Sequence, residues 1–161
     1  MTVLLQNEYL TVAADPALHL VRTTRSELPY PSPDDFIRCH TEALQIYESL
    51  VRGSLGHLVD LRRVPMNNDP AFEAATGRTR AMVVQEFACA AIVVRTAVGA
   101  LQVNRLLREE QNDHVAVFHD EDVAMTYLNE ELATRLNRGS STQLSRSHSS
   151  RPAAARLVRA R

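Results

Sequence analysis

The sequence predicts an α/β fold: one domain over residues 1–138, built on a mixed sheet of about five strands flanked by four helices. Three observations carry this. Short β-rich runs alternate with amphipathic helical stretches, since HLVDLRRV (57–64), CAAIVVRT (89–96) and HVAVFHD (114–120) each lead through a polar corner into a helix. Such alternation produces parallel β-α-β crossovers, with the sheet covered on both faces. The N-terminal segment instead alternates with period two around an Asp-Pro turn, as a hairpin does. With 45% hydrophobic residues in a chain of 161, one core can be filled.

The elements follow in order. Glu8 to Ala14 reads as a strand, Asp15-Pro16 as a turn and Leu18 to Arg25 as the return strand. In the return strand Leu18, Leu20 and Arg22 share one face, and His19, Val21 and Thr23 the other. A linker from Glu27 to Pro33 holds Pro29, Pro31 and Pro33. Ser32 then caps a helix, Pro33 suits its first turn, and Asp34 and Asp35 meet the positive end of the dipole. Its apolar stripe is Phe36, His40, Ala43, Leu44, Tyr47, Leu50 and Val51, and Gly53 and Gly56 end it. Asp69 as cap and Pro70 at the first position announce a second helix, with Phe72, Ala75, Thr79, Met82, Val83 and Phe87 on one face. The third helix, around Leu101 to Leu107, carries Gly99 in its first turn, which weakens it. Asp120 caps the last, whose inner face is Val123, Ala124, Tyr127, Leu128 and Leu132. The element order is β-β-α-β-α-β-α-β-α, with three mutually parallel strands and a core containing Phe36, Leu58, Val59, Leu61, Phe72, Ile92, Val93, Val115, Val117 and Leu128.

Beyond Arg138 the periodicity stops. Residues 139–161 hold six Ser and five Arg and read as a disordered tail, in which a short helix over 153–161 would be marginal. The formal charge of −1 hides an asymmetry: residues 1–138 set 13 Arg against all 19 acidic residues, a balance of −6, while the tail stands at +5. No lysine occurs, which fits a GC-rich coding bias. The start carries no signal-peptide pattern, and the longest apolar run, Ala88 to Val94, is too short to cross a bilayer. Cys39 and Cys89 fit a reduced, cytoplasmic setting as two small buried side chains.

The motif search excludes more than it finds. The sequence contains no G-x-G-x-x-G, no Walker loop, no H-E-x-x-H, no Cys/His cluster with metal spacing and no G-x-S-x-G elbow. No cofactor, metal or catalytic set is therefore assigned. Asp60, at a strand end, reads as a group bound to nearby backbone amides, with a catalytic base as the other reading. Arg62, Arg63, Arg95, Thr96 and His119 all fall where parallel strands end, beside helix N-termini suited to an anion. Asp69, Asp120 and Asp122 fall on the same rim, and pairing with the arginines is the structural reading of these groups.

The order of elements, the strand HLVDLRRV ending an apolar run in Asp, the helix after NNDP and the pattern AAIVVRT…VAVFHDEDVAMTYL resemble a STAS-like domain of the anti-sigma factor antagonist group, over residues 8–132. That group is related in fold to CRAL-TRIO lipid-binding proteins. Its end pattern is VAVVV…F…VFxDxxxAxxWL, with Tyr127 here at the aromatic position before Leu128. The resemblance implies a bacterial regulatory domain that works by protein–protein contact. Antagonists of the group carry Asp-Ser-Ser/Ala-Gly at the start of the second helix, where a kinase phosphorylates the Ser. Here the corner is Asn67-Asn68-Asp69-Pro70, without a hydroxyl until Thr76, so the resemblance is to a non-phosphorylatable variant in which Asp69 either mimics a fixed charge or simply caps the helix.

Two functions follow as expectations. The first is a non-catalytic interaction module that touches a protein partner, a second copy of the chain among the candidates, through Asn67, Asn68, Asp69, Phe72, Arg62 and Arg63. The second is a small-ligand binder, anionic at the rim of Arg95, Thr96 and His119 or apolar and lipid-like beneath it. No membrane contact is expected, and nucleic acid is disfavoured because the acidic body repels phosphate and the tail lacks aromatics.

Overall fold

Six strands in chain order make one mixed sheet in the computed structural model, which describes residues 1–65 and 67–146. Strand β1 (Thr2–Gln6) pairs antiparallel with β2 (Leu10–Asp15), and β2 with β3 (Leu20–Arg25). Asn7 makes the first turn, its side-chain oxygen accepting the N–H groups of Tyr9 at 3.0 Å and Leu10 at 2.9 Å. Asp15 makes the second by capping a 3-10 turn over Pro16–Leu18, after which His19 takes the left-handed conformation. The expected hairpin is thus a three-stranded meander, and the sheet has six strands rather than about five. Strand β1 escaped the sequence reading because it is an edge strand with most of its side chains exposed, so burial imposes no alternation on it.

From β3 onward the chain climbs by crossovers: α1 (Pro33–Glu48), β4 (Gly56–Asp60), α2 (Pro70–Val84), β5 (Cys89–Val93), α3 (Ala97–Glu109), β6 (Val115–Phe118) and α4 (Glu121–Arg146). Strands β3 to β6 are mutually parallel, four strands where three were expected, because β3 pairs with both β2 and β4. Three successive crossovers that step in one direction with one hand place their helices on one face. Accordingly Leu10, Val12, Val21, Val59 and Ile92 pack against Cys39, Ala43, Tyr47, Val83 and Leu107 of α1–α3. On the opposite face Leu20, Leu58, Ala91 and Val93 pack against Ala124, Leu128 and Leu132 of α4.

Of the expected core, Phe36, Leu58, Val59, Ile92, Val93 and Leu128 are buried. Leu61, Phe72, Val115 and Val117 are half-buried: the two valines lie on β6, the other edge strand, and the other two border a cavity. Several local expectations are corrected. Helix α1 ends at Glu48, before either glycine, and Val51 is 77% exposed. Gly56 opens β4, where a Cβ would come 3.2 Å from Leu132 Cδ1, so close packing of α4 explains this glycine. On α2 the buried residues are Thr76, Val83 and Val84, while Ala75 and Met82 face outward. The apolar residues of α2 are spread around the helix, so the sequence stripe was weak and its direction was misread. Gly99 lies inside a well-capped helix, because Thr96 Oγ1 accepts its N–H at 3.1 Å. Helix α4 continues through residues 139–146, where a disordered tail was expected; once a helix is anchored by packing, each added residue contributes a hydrogen bond. Residues 147–161, with the short helix considered at 153–161, lie outside the described residues.

Candidate functional site

A cavity of about 470 Å³ lies between the sheet and the α1–α3 layer. Its floor is Thr23, Val59 and Ile92, the residues whose alternation turns them toward these helices. Phe36 and His40 of α1, Phe72 and Val83 of α2, and Val103 and Leu106 of α3 form the walls. The cavity reaches the ends of the parallel strands at Arg62, Val64, Asn67, Arg95 and Thr96. The space persists because the inward positions of α2 between Phe72 and Val83 are Thr76 and Arg80, which bond to polar partners instead of filling it.

Polar groups close the α2–α3 end. Arg80 Nε donates to Glu110 Oε1 at 3.0 Å, and its terminal nitrogens reach Thr76 Oγ1 at 2.5 Å and the Glu73 carbonyl at 3.1 Å. Burial pushes the Glu110 carboxyl upward, against the pull of Arg80. Glu73 is gripped by Arg105, at 2.8 and 2.9 Å, and by Gln102 at 3.0 Å; the Arg105 hydrogen bonds lead in holding its carboxyl below the ordinary value.

The β3–α1 end is aromatic. Tyr30 stacks on Tyr9 at 4.7 Å, Phe36 on His40 at 4.0 Å, and Phe36 meets Phe72 edge-on at 5.9 Å. Arg25 ends β3 here, buried, with its guanidinium carbon 4.1 Å from the Tyr30 ring centroid. The Phe36 carbonyl accepts from His40 Nδ1 at 3.0 Å, so that nitrogen carries the proton. Burial drives the His40 pKa down to about 4, and the imidazole is neutral at pH 7. Behind the floor, Thr23 joins Tyr47 OH at 2.6 Å and His57 Nε2 at 2.9 Å, and burial lowers His57 to about 3.

Of the rim arginines Arg62 alone forms an ion pair among the described residues, and its partners are not those expected. Arg62 donates to Asp60 at 2.6 and 2.9 Å and to Glu121 at 2.6 Å, and Arg22 joins the same two acids at 3.2 and 2.5 Å. Asp60 also accepts the Arg62 backbone N–H at 3.1 Å, as a strand-end Asp was expected to do. Burial opposes ionisation of Asp60, yet the Arg62 hydrogen bonds outweigh it and keep the carboxyl low. Asp69 and Asp120 are instead helix caps, accepting from Ala71 at 2.9 Å and Val123 at 3.1 Å.

Around one opening the fold brings together Arg62, Asn67, Arg95 and Thr96, with Phe72 in the wall. Asn67 is held there by its carbonyl, which accepts from Gln102 Nε2 at 2.6 Å. Arg63, Asn68, Asp69 and His119 are exposed and lie outside the cavity lining. The sequence reading missed Arg25, Tyr30, Arg80 and Glu110. For Arg25 a signal existed: it continues the Val21, Thr23 alternation and so had to face the core. For Arg80 and Glu110 there was none, since their meeting depends on how α2 sits against α3. No protein-family model, curated protein or solved structure matches the chain.

Proposed function

We propose that this chain is a non-catalytic binding domain that takes a small ligand with an apolar body into the cavity beneath the rim. The cavity itself carries the reading: it has the volume of a small-molecule site, apolar walls with a few convergent polar groups, and an opening at the carboxyl ends of parallel strands, where such sheets hold ligands. The charged groups around it are mostly engaged with one another, as Arg80 is with Glu110, Glu73 with Arg105 and Arg62 with Asp60. Groups so committed shape and seal a site. The test is titration with N-phenyl-1-naphthylamine, a neutral apolar dye that fluoresces when desolvated. Saturable one-to-one binding that disappears in Val103→Trp, a variant that fills the cavity, supports the reading. Absence of saturable binding overturns it.

A second reading, an interaction module resembling non-phosphorylatable anti-sigma factor antagonists, rests on the corner before α2. Asn67, Asn68 and Asp69 are exposed there, and Gln102 and the Asp69 cap hold the corner in shape. The nearest downstream hydroxyl, Thr76, is fully buried and bonded to the Phe72 carbonyl, which supports a partner surface without a phosphoswitch. Asn68→Arg should abolish capture of a partner while leaving melting and dye binding unchanged. A partner bound equally by the variant removes this reading.

A further inference from the structure

We infer that the ligand of this cavity is an amphipathic acid, a small carboxylate with an apolar body, and that Arg25 receives its carboxylate. The inference rests on the reading of the cavity as a ligand site. It starts from a contrast among the arginines. Of the other arginines in the cavity lining, Arg62 and Arg80 each meet an acid within 3.0 Å, while Arg95, without an ion pair among the described residues, is exposed to water at the opening. Arg25 lies in the cavity lining and is only 5% exposed, yet among the described residues no carboxylate lies within 4.0 Å of its guanidinium. An arginine cannot escape burial by giving up its proton, so its charge must be met by something.

What the protein supplies is partial. The Tyr9 carbonyl accepts from one terminal nitrogen and the Leu28 carbonyl from the other at 3.2 Å. The guanidinium also lies over the Tyr30 ring, a contact that offsets some of the lost hydration. These contacts fix the group in place while leaving N–H donors for the planar fork that carboxylates bind. Burial is the leading influence on Arg25 and pulls its pKa down, as expected for a cation short of a counter-charge.

The rest of the lining sets the polarity of the ligand. At the α2–α3 end Arg80 is already committed to Glu110 and offers an acid head no free counter-charge, while Phe36, Phe72, Val83 and Val103 between the two ends suit an apolar body. A ligand therefore lies with its carboxylate at the β3–α1 end and its body toward α3. Two body chemistries, alkyl and aryl, satisfy these walls.

The experiment is calorimetric titration of the full chain at pH 7.5 with decanoate and 2-naphthoate, each beside its uncharged alcohol, decan-1-ol and 2-naphthalenemethanol. At least one acid is expected to bind one-to-one, displace N-phenyl-1-naphthylamine and exceed its alcohol by about tenfold or more, the scale of a hydrogen-bonded charge. The preferred acid identifies the body. Arg25→Gln should bring acid down to the affinity of alcohol and leave alcohol binding within about twofold. Arg25→Lys, which keeps a charge if the Gln variant fails to fold, should retain a reduced preference for acid. Equal binding of acid and alcohol by the native chain overturns the acid assignment and leaves the cavity reading standing. An undiminished preference for acid in Arg25→Gln overturns the role of Arg25. Failure of the dye and of all four compounds removes the cavity reading, and the acid with it.

Discussion

Asp60 and Asp69 show how the same side chain acts differently according to what surrounds it. Asp60 is 7% exposed and accepts from two arginines and a backbone N–H, so its removal strands Arg22 and Arg62 on Glu121 alone. Asp60→Ala should cost about 2 kcal/mol, the scale of a desolvated hydrogen-bonding group left without its partner. Urea unfolding measures it, and a loss below about 0.5 kcal/mol would place the network among surface ion pairs of no consequence. Asp69 is exposed and makes one bond of 2.9 Å to the Ala71 N–H. Asp69→Ala should cost about 1 kcal/mol through the lost cap. An unchanged melting curve would remove the cap argument.

At the scale of elements, the two faces of the sheet differ in how they are filled. Helix α4 covers its face alone through Ala124, Leu128 and Leu132, of which Ala124 and Leu128 are fully buried. Leu128→Ala should therefore destabilise by about 3 kcal/mol, since neither strand nor helix can collapse into the space left. Thermal and urea unfolding would show it, and a loss under 1 kcal/mol would mean the α4 face is loosely packed. On the other face three helices share the work and leave the cavity open between them. Val103→Trp is expected to block the dye without such a loss, because it enters existing space. A melting temperature that falls as steeply as in Leu128→Ala would show that the cavity walls cannot take the added volume.

For the molecule as a whole, buried histidines and arginine-paired acids set the response to pH. His40 and His57 have pKa values lowered from 6.5 to about 4 and about 3. Below pH 6.5 the unfolded chain takes up protons that the folded chain refuses, so their contribution is complete above 6.5 and is lost as the pH falls toward those values. Each histidine contributes a slope of up to about 1.4 kcal/mol per pH unit across that window. Asp60 and Glu121, held low by their arginines, add a further loss below their ordinary values of 3.8 and 4.5. Glu110, raised by burial, works in the opposite sense. The urea midpoint should be level between pH 7 and 8 and drop steeply from pH 6.5 to 4.5. A level midpoint down to pH 4.5 would mean that both imidazoles are hydrated in the folded protein.

The alternation of strand and helix, the caps at Ser32, Asp69 and Asp120, the parallel strands and the inward face of α1 were legible in the chain, because each depends on residues within a turn or two of one another. The edge strand β1, the inward direction of α2 and the extent of α4 were not, because long-range packing settles them where local pattern is weak. The same division runs through the site. Arg62, Arg95 and Thr96 were reached by asking where parallel strands end, a question of order along the chain, and Asn67 and Phe72 by the resemblance at the corner before α2. That Arg62 turns to Asp60 and Glu121, that Arg80 meets Glu110, and that Arg25 lines a cavity without an acid beside it are outcomes of tertiary structure. They bring together groups as many as 59 residues apart, as with Arg62 and Glu121. Charge pairing and cavity volume depend on where three helices come to rest on one face of a sheet, and no local preference encodes that distance.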